Sequence, residues 1–170
     1  FGKIKHITSL SKITDNDSMR IDSSTMKNLE IFDSLSSKDS NGTLIDVIDH
    51  TSTPMGSRLL KQHLAKPLLS KRTIEHRLKL VDQFIKNYID DDKIFSDLKS
   101  MCDIPRIISK ISTNKSNPQD LISLSNSLSS ILKIKKRTSK NKLIYKLFKQ
   151  TNNIKKVCNK IDKNIIMEPP

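Results

Sequence analysis

The residues that could do chemistry are few and scattered. His6, His50, His63 and His76 fall without metal-site spacing, and no His-Glu-x-x-His run occurs. Asp49-His50 sets an acid directly beside a histidine. A general-base dyad would need a nucleophile within reach, and no nucleophile motif accompanies the pair, so a polar pair at a helix end is the plainer expectation. Cys102 and Cys158 stand 56 positions apart and read as two reduced thiols. Phosphate chemistry has no better footing. Glycine occurs only at positions 2, 42 and 56, and no Gly-Lys-Ser/Thr is present, so this segment cannot build a P-loop. His63 lies on an apolar face, where a core or boundary histidine is expected before a ligand. The sequence thus offers no catalytic, cofactor-binding or metal-binding residue, and the segment by itself is expected not to be an enzyme.

Charge is the chain's strongest signal. The net charge is +13 over 170 residues. Between Lys133 and Lys163 there are twelve Lys or Arg and one acid, Asp162, whereas the remainder holds 19 basic and 17 acidic residues. Two readings stay open: attraction to nucleic acid or another polyanion, or a solvated lysine-rich surface in a chain whose 25 lysines, 6 arginines and many Asn and Ile fit an AT-rich genome. Tyr145 and Phe148, interleaved with lysines, could stack bases, although with Leu143 and Leu147 they read better as packing residues. No apolar run reaches the roughly 20 residues of a membrane span, and no signal-peptide pattern occurs.

The elements that would have to position any site are helices. Trp is absent and aromatics are few, so a core must come from Leu, Ile and Met at helical spacing. Phe1–Asp17 reads as a basic linker from an upstream domain. Met19 and Ile21 suggest a short extended piece, after which Asp22 or Ser23 caps a short helix with Met26 and Leu29. A brief helix follows over Leu44–Asp49. Thr53 and Pro54 supply a cap and a first helical residue, Met55, Leu59, Leu60 and Leu64 share one half of the wheel, and Pro67 ends that helix. Gly56, just inside it, predicts close approach of a neighbouring element. Ser70 caps a helix with the stripe Ile74, Leu78, Val81, Phe84, Ile85 and Tyr88. Asp90, Asp91 and Asp92 favour a helix start before Lys93, with Ile94, Leu98 and Met101 inside it. Asp103 caps another, with Ile104, Ile107, Ile108 and Ile111. Asn117-Pro118 begins a longer one, with Asp120 in its first turn and Leu121, Leu124, Leu128, Ile131 and Leu132 as its buried stripe. Two less regular segments, Lys140–Gln150 and Asn153–Ile161, carry the basic charge. Ser34–Gly42 and Ser112–Asn117 are loops. The fold class expected is all-α: a helical bundle with a short extended segment near its N-terminus. The lack of an initiator Met and the closing Glu168-Pro169-Pro170 suggest a piece of a longer protein.

Three stretches then acquire a joint meaning: MRIDSSTMKNLEI from Met19, LIDVIDHTSTPMGSRLLKQHLAKPLLSKRTIEHRLKLV from Leu44, and CDIPRIISKISTNKSNPQDLISL from Cys102. In order and spacing they resemble the core (lever) domain of the MutS family of DNA mismatch repair proteins. The family pattern Met-x-(Ile/Leu)-Asp-x-x-Thr-x-x-Asn-Leu-Glu is carried by Met19, Ile21, Asp22, Thr25, Asn28, Leu29 and Glu30. Its Thr-x-x-Gly-x-Arg-(Leu/Met)-Leu block is carried by Thr53, Gly56, Arg58, Leu59 and Leu60. Pro67-Leu68-Leu69 and Ile74-Glu75-x-Arg77 follow in register. The resemblance covers roughly Lys3 to Leu132, and departs from the family's Trp at His63, its Asp at Ser70 and its Glu at Pro105.

The resemblance implies a mechanical part. Residues 1–17 would be the linker from an upstream connector, and 18–170 the first part of the core domain, ending before the clamp. The Phe-x-Glu that inserts at a mispair in this family is absent and would lie upstream. The clamp, and an ATPase domain holding ATP and Mg, would follow, so the segment itself takes no cofactor. Partners would be mismatched double-stranded DNA, through the whole protein, and a second MutS-type subunit in a homo- or heterodimer, with no membrane. The place would be the cytoplasm and nucleoid of a bacterium, or the nucleus or mitochondrion of a eukaryote. The helices would pass the nucleotide state of one end to the DNA grip at the other, with Gly56 holding a close helix contact in that relay. Two other readings stand beside it: a free-standing basic helical module that binds nucleic acid through Lys133–Lys163, and a helical scaffold for a protein partner.

Overall fold

The computed structural model describes residues 17–36, 42–89 and 91–165. The expectations for Phe1–Asn16, for Asp90 and for Glu168-Pro169-Pro170 lie outside these residues, as does the middle of the Ser34–Gly42 loop. Among the described residues the chain is all-α. Its helices are α1 (Ser23–Asn28), α2 (Leu44–Ile48), α3 (Pro54–Ala65), α4 (Lys71–Tyr88), α5 (Asp92–Lys99), α6 (Ile104–Ser112), α7 (Pro118–Arg137), α8 (Lys142–Tyr145) and α9 (Ile154–Asn164), with 3-10 turns at Thr138–Lys140 and Lys146–Phe148.

The helix starts follow from side-chain oxygens that accept from otherwise orphaned backbone N–H groups. Asp22, Thr53, Ser70, Asp91, Asp103 and Asn117 cap α1, α3, α4, α5, α6 and α7. Thr53, Ser70, Asp103 and Asn117 are at the predicted positions, Asp22 rather than Ser23 takes the first, and Asp91 is the capping member of the acidic run. Asn117 and Asp120 form a reciprocal capping box. Thr43 and Asn141 cap α2 and α8 as well. The extended piece before α1 is present: Met19 N–H donates to Pro67 O at 2.7 Å, and Leu69 N–H to Asp17 O at 2.9 Å. This single antiparallel bridge, Ser18 to Leu68, ties the start of the described chain to the α3–α4 connection. Met101 lies beyond α5, which ends at Lys99. The predicted segment over Lys140–Gln150 breaks into a 3-10 turn, α8 and a second 3-10 turn, because Asn141 spends its side chain restarting the helix.

α7 is the axis of the packed half. Against it lie α5, α6 and α9. Ser125 Oγ donates to Asp162 at 2.7 Å, and Lys135 Nζ to Thr151 Oγ1 at 3.0 Å, so α9 runs antiparallel to α7. The buried apolar residues here are Ile94, Ile107, Leu124, Ile134, Ile144 and Cys158, with Ile94 0% exposed. The predicted α7 stripe is correct at Leu124, while Leu121, Leu128, Ile131 and Leu132 are only half-buried. The positions that disappear beside Leu124 are instead serines: Ser125, Ser127 and Ser130. Small side chains let neighbouring backbones come close, and each serine has a partner. Ser127 Oγ accepts from Cys102 N–H at 2.9 Å, and Ser130 Oγ meets Ser100 Oγ at 3.3 Å.

The first half packs less. Neither α3 nor α4 buries a single residue. The α4 stripe expected to be core is open to solvent at Leu78 (62%), Val81 (54%) and Ile85 (51%). Only its C-terminal end is covered, where Phe84 meets Tyr88 and, edge to face, Phe95. Periodicity shows that a face is apolar. It does not supply a neighbour: α8 packs against α4, yet Leu78, Val81 and Ile85 stay exposed.

Candidate functional site

The residues carrying the motif blocks turn out to be joints. Asp22 accepts from Thr25 N–H at 2.9 Å and Thr25 Oγ1 at 2.7 Å, so the spacing Asp-x-x-Thr is that of a helix cap. These bonds, with one from the Ser24 hydroxyl as the largest effect, hold the Asp22 carboxyl far below its ordinary pKa. Glu30 sits at φ 46°, in left-handed backbone, and its carboxylate accepts from Leu35 N–H at 2.7 Å, which folds the chain out of α1. Thr53 Oγ1 accepts from Gly56 N–H at 3.0 Å at the start of α3.

Gly56 corrects an expectation. A Cβ there would lie 3.1 Å from Thr53 Oγ1 and 3.2 Å from Thr51 Cβ. The crowding therefore comes from the turn that delivers the chain into α3, and among the described residues the nearest atoms belong to that turn and not to a neighbouring helix. The relay contact assigned to Gly56 is replaced by a local one.

Arg58 makes the long-range joint. Its guanidinium meets the Asp103 carboxylate through two bonds of 2.6 Å, across 45 positions of sequence. Such a fork-to-fork pair fixes orientation as well as distance. The hydrogen bond from Arg58 pulls the Asp103 pKa down, and that of Arg58 is raised by the same bond. Asp103 also accepts from Arg106 N–H at 3.3 Å, capping α6 as predicted. Its second role left no local trace in the sequence. A parallel joint connects Asn141 Nδ2 to Gln83 Oε1 at 3.0 Å, between the start of α8 and α4.

The dyad reading of Asp49-His50 has no geometric basis. The Asp49 carboxylate accepts from the Ser57 hydroxyl, from Thr51 Oγ1 at 2.6 Å and from Thr51 N–H at 3.1 Å. Those partners, Ser57 foremost, lower its pKa. His63 is half-buried on α3, and burial, with Arg77 nearby, lowers its pKa. His50 and His76 are exposed, and His6 lies outside the described residues. Among the described residues no three His, Cys, Asp or Glu side chains converge as a metal site would require. Cys102 and Cys158 are both free thiols, engaged by Ser127 Oγ at 3.0 Å and Ser125 O at 3.7 Å. One groove, about 630 Å³, lies between α2 and α3. It brings Asp33, Asp46 and Asp49 near Lys61 on an open surface. None of the described helices is long and apolar enough to cross a membrane.

The basic stretch is mostly surface. Of its twelve cations only Lys135 is half-buried, where its Nζ sits 5.5 Å above the Tyr145 ring. Asp97, on α5, faces both Lys133 at 4.0 Å and Arg137 at 3.5 Å.

Comparison with known proteins now adds a frame. The family described as MutS domain III matches residues 24–170. The chain is 38% identical over 168 residues to the DNA mismatch repair protein MutS of Caldanaerobacter subterraneus subsp. tengcongensis, covering 98% of this chain and 19% of that protein. It is 40% identical over 132 residues to the protein of that name from Staphylococcus saprophyticus, covering 78% of this chain and 15% of the relative. With the Staphylococcus aureus protein it shares 34% over 170 residues, again 98% and 19%. The chain thus spans about a fifth of the length of the full-coverage relatives. A match over this much of the chain, joined to motif residues that serve as caps and joints, leads to one conclusion: the chain belongs to the MutS family, as a member of its domain III.

Proposed function

We propose that this chain is the core, or lever, segment of a MutS-like mismatch-recognition protein, and that it couples mismatched-DNA binding in one part of that protein to ATP hydrolysis in another. The carrying observation is the Arg58–Asp103 fork, which joins α3 to the start of α6. A part that passes movement needs stiff pieces and a few discrete joints with two possible arrangements. Here the stiff pieces are α4 and the bundle around α7, and the joints are Arg58–Asp103 and Gln83–Asn141. The open stripe on α4 gives the remainder of the parent protein a face to move against. On this reading ATP and Mg bind outside the chain, the parent works as a homo- or heterodimer on mismatched duplex, and its place is the bacterial cytoplasm, associated with the nucleoid.

The test is coupling, measured in the full-length protein. Arg58→Ala and Asp103→Asn should leave nucleotide-free binding of mismatched duplex nearly intact. Both should shrink the factor by which ATP changes that affinity, and, by linkage, the factor by which mismatched duplex changes ATP affinity. Variants that fold and keep both factors at wild-type size would remove this joint from the mechanism.

A further inference from the structure

Two lysines of α9 stand where helix stability would not put them. Lys155 and Lys156 occupy the first turn, which has no acidic residue and no side-chain cap. Cations at a helix N-terminus oppose its dipole. The lysines that close α7, by contrast, sit at a C-terminus, where the dipole favours them. Local folding therefore does not account for Lys155 and Lys156, although Lys163, in the last turn, sits where the dipole favours it. Drift toward lysine-coding sequence does not account for these lysines either. Such drift raises lysine everywhere, whereas the excess of cations over acids is concentrated here: 12 against 1 in the 31 residues from Lys133 to Lys163, and 19 against 17 in the other 139.

The structure arranges these charges on one side. Ile154, Cys158, Ile161 and Ile165 recur at the spacing of the α9 face turned to α7, with Cys158 buried and the isoleucines half-buried. At about 100° per residue, Lys156, Lys160 and Lys163 cluster on the opposite face. All three are exposed, and none has an ion pair among the described residues. The local acid, Asp162, accepts a hydrogen bond from Ser125 on α7. Some cations of the chain are paired: Arg58 with Asp103, Lys110 with Asp120, Lys86 with Asp82, and, at the end of α7, Lys133 and Arg137 with Asp97.

We propose that the outer face of α9, Lys156, Lys160 and Lys163, is a contact surface for the phosphate backbone of duplex DNA, read without regard to sequence. The proposal rests on the mismatch-repair reading for its choice of polyanion. The three lysines span about 10 Å of helix at 1.5 Å per residue, which matches about three phosphates of one strand at 3.4 Å each along the duplex axis. Single strands are usually held by aromatic platforms. Of the nearby rings, Tyr145 is exposed with Lys135 Nζ 5.5 Å from its centre, and Phe148 is half-buried, so the described surface offers one ring and no row of platforms for successive bases.

The experiment is a salt series on the full-length protein, with fully paired and mismatched duplexes. Two triple variants are compared: Lys156→Gln/Lys160→Gln/Lys163→Gln on α9, and Lys71→Gln/Lys79→Gln/Lys86→Gln on α4. Each lost phosphate contact lowers the slope of log K against log salt by about 0.9. The α9 triple should lose about 2–3 in slope on both duplexes, and the α4 triple almost nothing. Lysine-to-arginine changes at the three α9 positions should keep the wild-type slope. An unchanged slope in the α9 triple, or equal losses in both triples, overturns the proposal. So does a loss seen with single-stranded RNA or an acidic polypeptide but not with duplex. A wild-type protein with no preference for mismatched duplex would sink the mismatch-repair reading instead, while the slope difference would still report on the surface.

Discussion

α7 and α4 are the two longest helices of the chain, at 20 and 18 residues, and both carry apolar residues at regular helical spacing. α7 lies among α5, α6 and α9 and buries Leu124, Ile134 and three serines. α4 buries nothing, and its stripe faces solvent from Ile74 to Ile85. The difference teaches that an apolar stripe is a request for a partner, answered for α7 inside this chain and left open for α4. The chain spans about a fifth of the length of its full-coverage relatives, and on the proposed reading α4 is the face offered to the rest of the parent.

The sharpest way to break that contrast is to shorten one side chain in each region of the 170-residue chain. Ile94→Ala, at a fully enclosed position on α5, should cost about 2–5 kcal/mol of unfolding free energy, as a truncation in a packed core does. Leu78→Ala on α4 should stay within about 0.5 kcal/mol, as exposed substitutions do. Urea unfolding curves for both variants measure the two numbers. In the full-length protein Leu78→Ala should cost more, which would show that the stripe is covered there. Equal costs in the short chain would mean that α4 is packed after all.

A smaller effect is expected at Gly56, on the loosely packed side. Gly56→Val should destabilise the short chain by about 1–2 kcal/mol, as an overpacked position does, because the branched Cβ meets Thr53 Oγ1 and Thr51 Cβ. Gly56→Ala should cost less, since one methyl needs a shift of only a few tenths of an ångström and alanine favours a helix. Thr51→Ser, which removes the methyl nearest the intruding side chain, should recover part of the loss in the valine variant. A melting series on the four proteins checks this. No recovery would place the strain elsewhere.

Legibility in the sequence followed the range of the physics. Capping acts over three residues, so Asp22, Thr53, Ser70, Asp103 and Asn117 could be placed from their neighbours alone. Helical periodicity acts over a dozen, so α4 and α7 were visible as amphipathic. What covers a stripe is decided by chain folding across tens of residues, so the spacing on α4 predicts a core face that the structure leaves exposed, and the place of Gly56 in a helix predicts a neighbouring element where the crowding is local. The buried serines of α7 escaped notice because a polar side chain gives no hydrophobic signal, although their spacing beside Leu124 could have suggested a close helix crossing. The Arg58–Asp103 joint was half visible, since both residues stood out, one in a motif and one as a cap, with nothing local to connect them.

The last and smallest test separates the two regions by pH. In α3, burial lowers the His63 pKa below the ordinary histidine value of about 6.5. The unfolded chain then binds more protons than the folded one just below that value, so stability is full above about pH 6.5 and declines as pH falls toward the folded pKa. The lowered carboxylates Asp22, Asp49, Asp103 and Asp120 follow the same sign in a different window. Their contribution is present above about pH 3.9, the ordinary Asp value, and fades only as pH drops through their folded values. Between pH 7.5 and 5 the carboxylates therefore change little, and His63 is the residue on the α3–α4 side that titrates out of its folded state. The melting temperature should fall slightly over that interval, and His63→Phe should flatten the fall. The same slope in wild type and His63→Phe would assign the titration to another group, and the burial of α3 at His63 would then be less than its contacts indicate.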